Sequence, residues 1–447
     1  MNFITDKQTL DDLNILGKPG TDSVYALYNN TYTRGGADIL EQMFLYPLAE
    51  VSAINNRCKT FQYFKSINVK FPFRTENLDS AENYLGMTDK RTMLSESDKS
   101  LARKFSQLIA ADGDYQVIFN GIAAIAEIWQ TMQIFVVKIK SSAASTPYAL
   151  NIEEIETWLS KDGLSVILAE KQVDKLSYQK IAQLDKLLRF EHRATLKQLL
   201  TFIYQLDVFL SVAEVALKRG YVFPKALPKD VNVVKLTGVY HPLVKNATAN
   251  SLNITPDSNI VFLTGANMAG KSTFMKSLGI ALYLAHMGFP VAAQEMEFSV
   301  RDGIYTTINL PDDLNSGNSH FYAEVLRVKK IAKELGVAKN LFVIFDELFR
   351  GTNVKDAYEG TIAITQAFAA KRNCMFVVST HIIEAGDVLK QRCSNINFVY
   401  LPTRMDDNKP VYTYRLEQGI TADRHGMIII NNEGILEILS SRKNKTT

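Results

Sequence analysis

The stretch TGANMAGKSTFMK at residues 264–276 constrains this chain more than any other. It follows an apolar run, Ile260–Leu263, and leads into a segment with helical spacing. Gly265–Ser272 fits the pattern G-x-x-x-x-G-K-[ST], and each part of that pattern has its own physical demand. Gly265 and Gly270 allow a tight backbone path that brings N–H groups against phosphate oxygens. A helix starting near Lys271 offers unpaired N–H groups and the positive end of its dipole. Lys271 supplies a mobile positive charge for outer phosphates. Ser272 supplies a hydroxyl for Mg²⁺, and Thr273 a further hydroxyl. The structural alternative is a glycine-rich turn between strand and helix with no ligand.

A phosphate loop needs a carboxylate partner, and LFVIFDE at residues 341–347 provides one. Five apolar residues read as a buried strand ending in Asp346 and Glu347. Asp346 at a strand end can hold Mg²⁺ directly or through water. Glu347 can orient and deprotonate an attacking water. A further apolar run, CMFVVSTH, ends in His381, where a polar side chain can sense a terminal phosphate. A histidine at a strand end is as readily structural.

The chain has 447 residues, which predicts more than one domain. Its first half reads as helix. Residues 34–66 carry apolar residues at helical spacing with a break near Pro47, and 97–140 contain no proline. Residues 176–219 contain neither proline nor glycine, and 141–163, richer in small and polar residues, read as a turn joining two long antiparallel helices. The two prolines of VFPKALPKD mark a change. Beyond it, the β-rich runs NIVFLTG, LFVIFDE, CMFVVST, NFVYLP and VYTYRLE alternate with helical patterns. The expected fold class is α + α/β: a long-helix domain over 1–226 and a phosphate-loop α/β domain over 227–447.

The net charge is +3, so composition neither announces nor excludes nucleic-acid binding. The basic residues of KLLRFEHRATLK at 186–197 read either as a phosphate-facing patch or as a solvated helix face. Cys58, Cys374 and Cys393 lie far apart and form no metal or redox spacing. The polar N-terminus is no signal peptide. Apolar runs are broken by Asn, Glu or Lys before the roughly 18 residues of a membrane span. A cytoplasmic protein with no membrane segment is expected.

TGANMAGKST, DELFRGTN and STH, in this order and spacing, resemble the MutS family of mismatch-repair ATPases, a branch of the ABC-type ATPases. GVYHPLV at 238–244, LPDDLNSGNSHFYAEV at 310–325 and YRLEQGITADRHGM at 414–427 resemble further segments of that ATPase domain. Two stretches of the first half, GGADILEQMFLYPLAEVSAINNRCKTFQYF and YQLDVFLSVAEVALKRGYVFP, resemble its core and lever helices.

The resemblance implies ATP and Mg²⁺ as cofactors. It implies that Gly265, Asn267, Met268, Gly270, Lys271, Ser272 and Thr273 bind nucleotide, and that Ser272 and Asp346 face the metal. Glu347, Lys271 and His381 would be catalytic, with His381 as the sensor. Ser319 matches the signature serine that reaches the nucleotide of a second subunit, which implies a homodimer through the ATPase domain. Ala266, Ala269 and Phe349 stand where the family has Pro, Gly and Gly. The aromatic that stacks on adenine falls near Ala247.

The only Phe-x-Glu, Phe345–Glu347, lies in the acidic strand, and the mismatch-recognition, connector and clamp domains are expected to be missing. DNA is thus a possible partner, without mismatch reading by intercalation. Two functions compete: an ATPase that moves helical levers in mismatch repair or related DNA metabolism, and a nucleotide-gated protein-interaction module.

Overall fold

The computed structural model describes residues 3–18, 20–94, 113–161, 164, 176–309, 320–337, 339–406, 409–421 and 434–441. The chain forms two compact units. One gathers three segments, Met1–Tyr28, Met43–Cys58 and Val215–Thr447, and the other holds Asn29–Gln42 and Lys59–Glu214.

The second unit is helical. Its core is built chiefly from the helices Thr75–Gly86, Gly113–Ala143, Ala149–Leu159, Tyr178–Asp185 and Arg193–Arg219. Trp129, Met132, Tyr148, Ile155, Ile203 and Leu206 are fully buried there. Gly121 lets two helices meet closely, since a Cβ there would sit 2.2 Å from Tyr84 Cβ.

Three expectations change. Gly113–Ala143 and Arg193–Arg219 are long and apolar enough to cross a membrane, because residues such as Asn120 and Glu127 interrupt the apolar run without ending the helix. Their most apolar windows are 56% and 78% buried, so these side chains build the core of this unit. The span 141–163 is not a simple turn. It contains the helix Ala149–Leu159, which buries Ile152 and Ile155. The Pro- and Gly-free run 176–219 is helical but interrupted by a π-helical turn at Lys186–Glu191.

The first unit is α/β. Among the described residues its strands are β1 (Lys225–Leu227), β2 (Val234–Val239), β3 (Asn250–Ile254), β4 (Ile260–Gly265), β5 (Glu295–Ser299), β6 (Gly303–Thr307), β7 (Leu341–Phe345), β8 (Met375–Ser379), β9 (Ile396–Leu401), β10 (Thr403–Asp406), β11 (Lys409–Tyr412) and β12 (Glu417–Gln418). The main sheet has the order β12-β9-β4-β8-β7-β6, antiparallel only at β12. Every residue of β4, β6, β7 and β8 is buried, as expected of parallel strands covered on both faces. A second sheet, β1-β5-β2-β3, is mixed, and β3 alternates buried and exposed residues. β10 and β11 form a hairpin.

The N-terminal segment belongs to this unit. Ile4 forms a parallel bridge with Gly303, covering the free edge of β6, and the helix Lys7–Asp12 follows. Asp6 holds Arg327 and Lys330 of the helix His320–Leu335. Within Met43–Cys58, Arg57 Nη1 donates to Met287 O at 2.9 Å, and Phe44 O accepts from Tyr283 Oη at 2.5 Å.

Candidate active site

The carboxyl ends of parallel strands share one edge, and here β4, β8 and β7 lie side by side. β4 runs into the phosphate loop. Gly265 has φ +150°, and a Cβ there would lie 3.1 Å from Leu401 O. Gly270 has φ +98° and caps the helix Lys271–His286 without a side-chain hydrogen bond. The first amides of that helix therefore have no capping side chain, which leaves the arrangement that binds anions. Lys271 is buried at the helix start, and Nζ donates to Gly265 O at 2.9 Å and Ala266 O at 3.2 Å. Burial pushes its pKa down, opposed by the charges of Glu347 and Asp346. Asn267, Met268, Ser272 and Thr273 are exposed on the loop and first turn.

Asp346 sits one residue beyond β7. Ser272 Oγ donates to Asp346 Oδ2 at 2.5 Å, and Ser379 Oγ, from the end of β8, donates to Oδ1 at 2.5 Å. Ser379 Oγ also accepts from Glu347 N at 3.2 Å, and Thr307 O at the end of β6 accepts from Asp346 N at 2.9 Å. Burial raises the pKa of Asp346 and the charge of Glu347 adds to the rise, while the two serine hydroxyls and Lys271 oppose it. Glu347 has φ +52° and pairs with Arg350 at 3.3 Å. A cavity of about 290 Å³ opens beside these groups, lined by Ser272, Thr307, Asn309, Asp346, Glu347 and Arg350 among others. The donor set, one hydroxyl and two adjacent carboxylates beside a helix N-terminus, fits a hard divalent cation together with phosphate.

Phe349 has φ +65° and is buried. That left-handed backbone is where a glycine is at ease, and a phenylalanine there is strained by about 1–3 kcal/mol. The ring repays this by packing: it lies 5.8 Å from Phe321, and a Cβ on Gly360 would come within 2.8 Å of it.

One anticipated residue takes no part in this network. His381 lies two residues beyond β8 and is exposed. Ser319 lies outside the described residues. Two participants were missed. In STH, the side chain of Ser379 engages Asp346. Tyr414 lines a second cavity of about 580 Å³ with Met268, Gly270, Thr273, His241 and Val244. A Cβ on Gly270 would come 2.9 Å from Tyr414 Cδ1, so the ring lies over the loop. The run VYTYRLE announces a strand and carries no sign of this position. Ala247 lines the same cavity.

Strand order, phosphate loop and acidic strand end together define a phosphate-loop α/β unit. Residues 261–446 match the family model of MutS domain V. Over 286 residues the chain is 28% identical to the DNA mismatch repair protein MutS of Fusobacterium nucleatum, covering 63% of this chain and 31% of that protein. It is 29% identical to the protein of that name from Petrotoga mobilis over 300 residues, covering 65% of this chain and 35% of the relative. With that of Thermus thermophilus it shares 30% over 243 residues, covering 54% and 28%. Residues 261–446 are thus similar to MutS domain V, and the chain is similar to these MutS proteins over 54% to 65% of its length. It spans about a third of the length of the curated relatives it matches.

Proposed function

We propose that this protein binds and hydrolyses ATP at the carboxyl edge of β4, β8 and β7 and uses the nucleotide state to move its helical arms. The observation that carries this reading is the linkage of Ser272, Asp346, Ser379 and Glu347 beside the uncapped helix at Lys271. The triphosphate would lie along the Gly265–Gly270 backbone, with Lys271 Nζ turning from its two carbonyl partners to the outer phosphates. Tyr414 and Met268 would receive the nucleoside in the larger cavity. Ser272 and Asp346 would hold Mg²⁺, which when bound offsets phosphate charge. Glu347 Oε would take the proton of the attacking water, held in place by the Ser379 bond to its backbone. Asn267 and Thr273 are exposed where they can reach phosphate, and His381 would sense its loss. Ser319 of a second copy would complete the site, which makes a homodimer the active form.

The relatives' names point to DNA mismatch repair, so DNA, or a DNA-bound partner, is the proposed target of the moving arms. One observation favours the competing reading, a nucleotide-gated protein-interaction module. Of the basic residues at 186–197, Arg189 is fully buried in an ion pair with Asp185, and Arg193 Nε donates to Leu85 O at 2.7 Å. The Arg189 guanidinium is thus withdrawn from any phosphate backbone, and one donor of the half-buried Arg193 is taken. A salt titration of binding to duplex, mismatched and branched DNA, with and without ATP, separates the two. A steep salt slope with structural preference supports the first, and no binding at low salt the second. The nucleotide site itself is tested by Lys271→Ala, which should abolish ATP binding in calorimetry. Unchanged affinity would overturn the site.

A further inference from the structure

The strand end β6 carries three of the residues that line the smaller cavity, Thr307, Ile308 and Asn309. What fixes this stretch comes from the far end of the chain. Asp12 is 2% exposed, and its carboxylate accepts from Thr306 Oγ1 at 2.7 Å, Ile308 N at 2.9 Å, Asn309 N at 3.0 Å and Gln8 Nε2 at 2.9 Å. Thr9 Oγ1 accepts from Thr306 N at 3.0 Å, and Gln8 Nε2 also donates to Asn309 O at 2.9 Å. All four donors to Asp12 are neutral, so the buried charge is held by oriented dipoles alone.

One peptide group connects this carboxylate to the site. The N–H of Ile308 and the C=O of Thr307 belong to the same plane and, in a trans peptide, point in opposite directions. The N–H is held by Asp12, and the C=O accepts from Asp346 N at 2.9 Å. Fixing one end of the plane therefore aims the other at the backbone that carries Asp346 and Glu347.

We propose that Asp12 is a positioning residue for the acidic pair, acting through the Thr307–Ile308 peptide and the cavity wall that follows it. This rests on the proposed ATPase site. Its consequence is that the N-terminal segment, 294 residues before Thr306, sets how well that site turns over.

The test is steady-state hydrolysis by the full chain, with affinity for a non-hydrolysable ATP analogue measured in parallel and folding checked by circular dichroism. Asp12→Ala should lower kcat by about tenfold and leave analogue affinity within about twofold, as expected when a reacting group is misplaced while binding contacts persist. Asp12→Asn keeps one acceptor oxygen and should fall between, at about a threefold loss. Hydrogen exchange of the Ile308 and Asn309 amides should quicken in the same order. Wild-type kcat in either folded variant would overturn the proposal, as would equal losses of kcat and affinity. If Asp12→Ala does not fold, Asp12→Asn decides alone. A wild-type protein that binds the analogue but hydrolyses no ATP would overturn the reading of the site, and this inference with it.

Discussion

Asp185 in the helical unit and Asp346 at the strand ends of the α/β unit are both held by hydrogen bonds, but in different ways. Asp185 accepts from Arg189 Nε and Nη2, each at 2.6 Å, from Tyr84 Oη at 2.9 Å and from Leu94 N at 3.3 Å. Arg189 spends its remaining donors on Thr92 Oγ1, Thr92 O and Met87 O. The pair is fully buried and every oxygen is engaged by a permanent partner. Asp346 is held by two serine hydroxyls, and Lys271 turns its ammonium to backbone carbonyls instead. A closed network locks the segment between residues 87 and 94 against the π-helical turn. An acidic cluster held by hydroxyls leaves its oxygens open to the cation proposed here, and burial raises its pKa against the opposing serine hydroxyls and Lys271. Burial alone does not separate a structural cluster from a working one. In the site proposed here, the identity of the donors does.

The strongest break of this contrast is at Glu347. Glu347→Gln should lower kcat by about 10²- to 10⁴-fold while the thermal midpoint and ATP affinity hold. A variant that turns over at the wild-type rate would show that water is activated elsewhere. Arg189→Ala should do the reverse. Removing one partner of a buried pair costs about 3–5 kcal/mol, read from urea unfolding, with ATP affinity of the folded protein unchanged. A loss below 1 kcal/mol would place Arg189 with ordinary surface pairs and end the contrast.

His286 sharpens it from the side of pH. The ring is buried, with Nδ1 3.0 Å from Leu48 O, while Nε2 accepts from Arg301 N at 3.2 Å, and burial pushes its pKa down to about 3. The folded protein keeps it neutral while the unfolded chain gains a proton below about 6.5. Stability should therefore fall as pH drops from about 6.5 toward 3, by at most about 1.4 kcal/mol per pH unit from this group. His286→Gln should flatten that slope between pH 5 and 7, and an unaltered slope would assign it to other groups.

The smallest effect compares two helix starts. Asn353 caps Val354–Ala369 by accepting from Asp356 N at 3.0 Å, whereas Lys271–His286 has no capping side chain. Asn353→Ala should cost about 1 kcal/mol in thermal unfolding. At the Lys271 helix the corresponding gain should come from bound nucleotide, seen as a rise in midpoint with ATP.

Much of the site was legible because its signals are local. Gly265, Gly270, Lys271 and Ser272 form a motif whose chemistry lies within one turn, and Asp346 and Glu347 end an unmistakable apolar strand. Phe349 shows a subtler kind of legibility: its φ of +65° explains why glycine is expected there. The helical half was readable as helix but not in its interruptions. Nothing in the composition of 186–191 marks a π-turn, because that turn is stabilised by Arg189 reaching Thr92 and Met87 far along the chain.

The sequence by itself determined the class of fold, the phosphate loop and the acidic strand, since periodicity and turn chemistry act over a few residues. Only the tertiary structure decided that Ser379 holds Asp346, that Tyr414 covers Gly270, and that Asp12 grips the end of β6. Those meetings depend on a strand order, β4-β8-β7-β6, that differs from the order of the chain. Side chains hundreds of residues apart become neighbours only when the sheet is assembled, and no local pattern encodes which edges will meet.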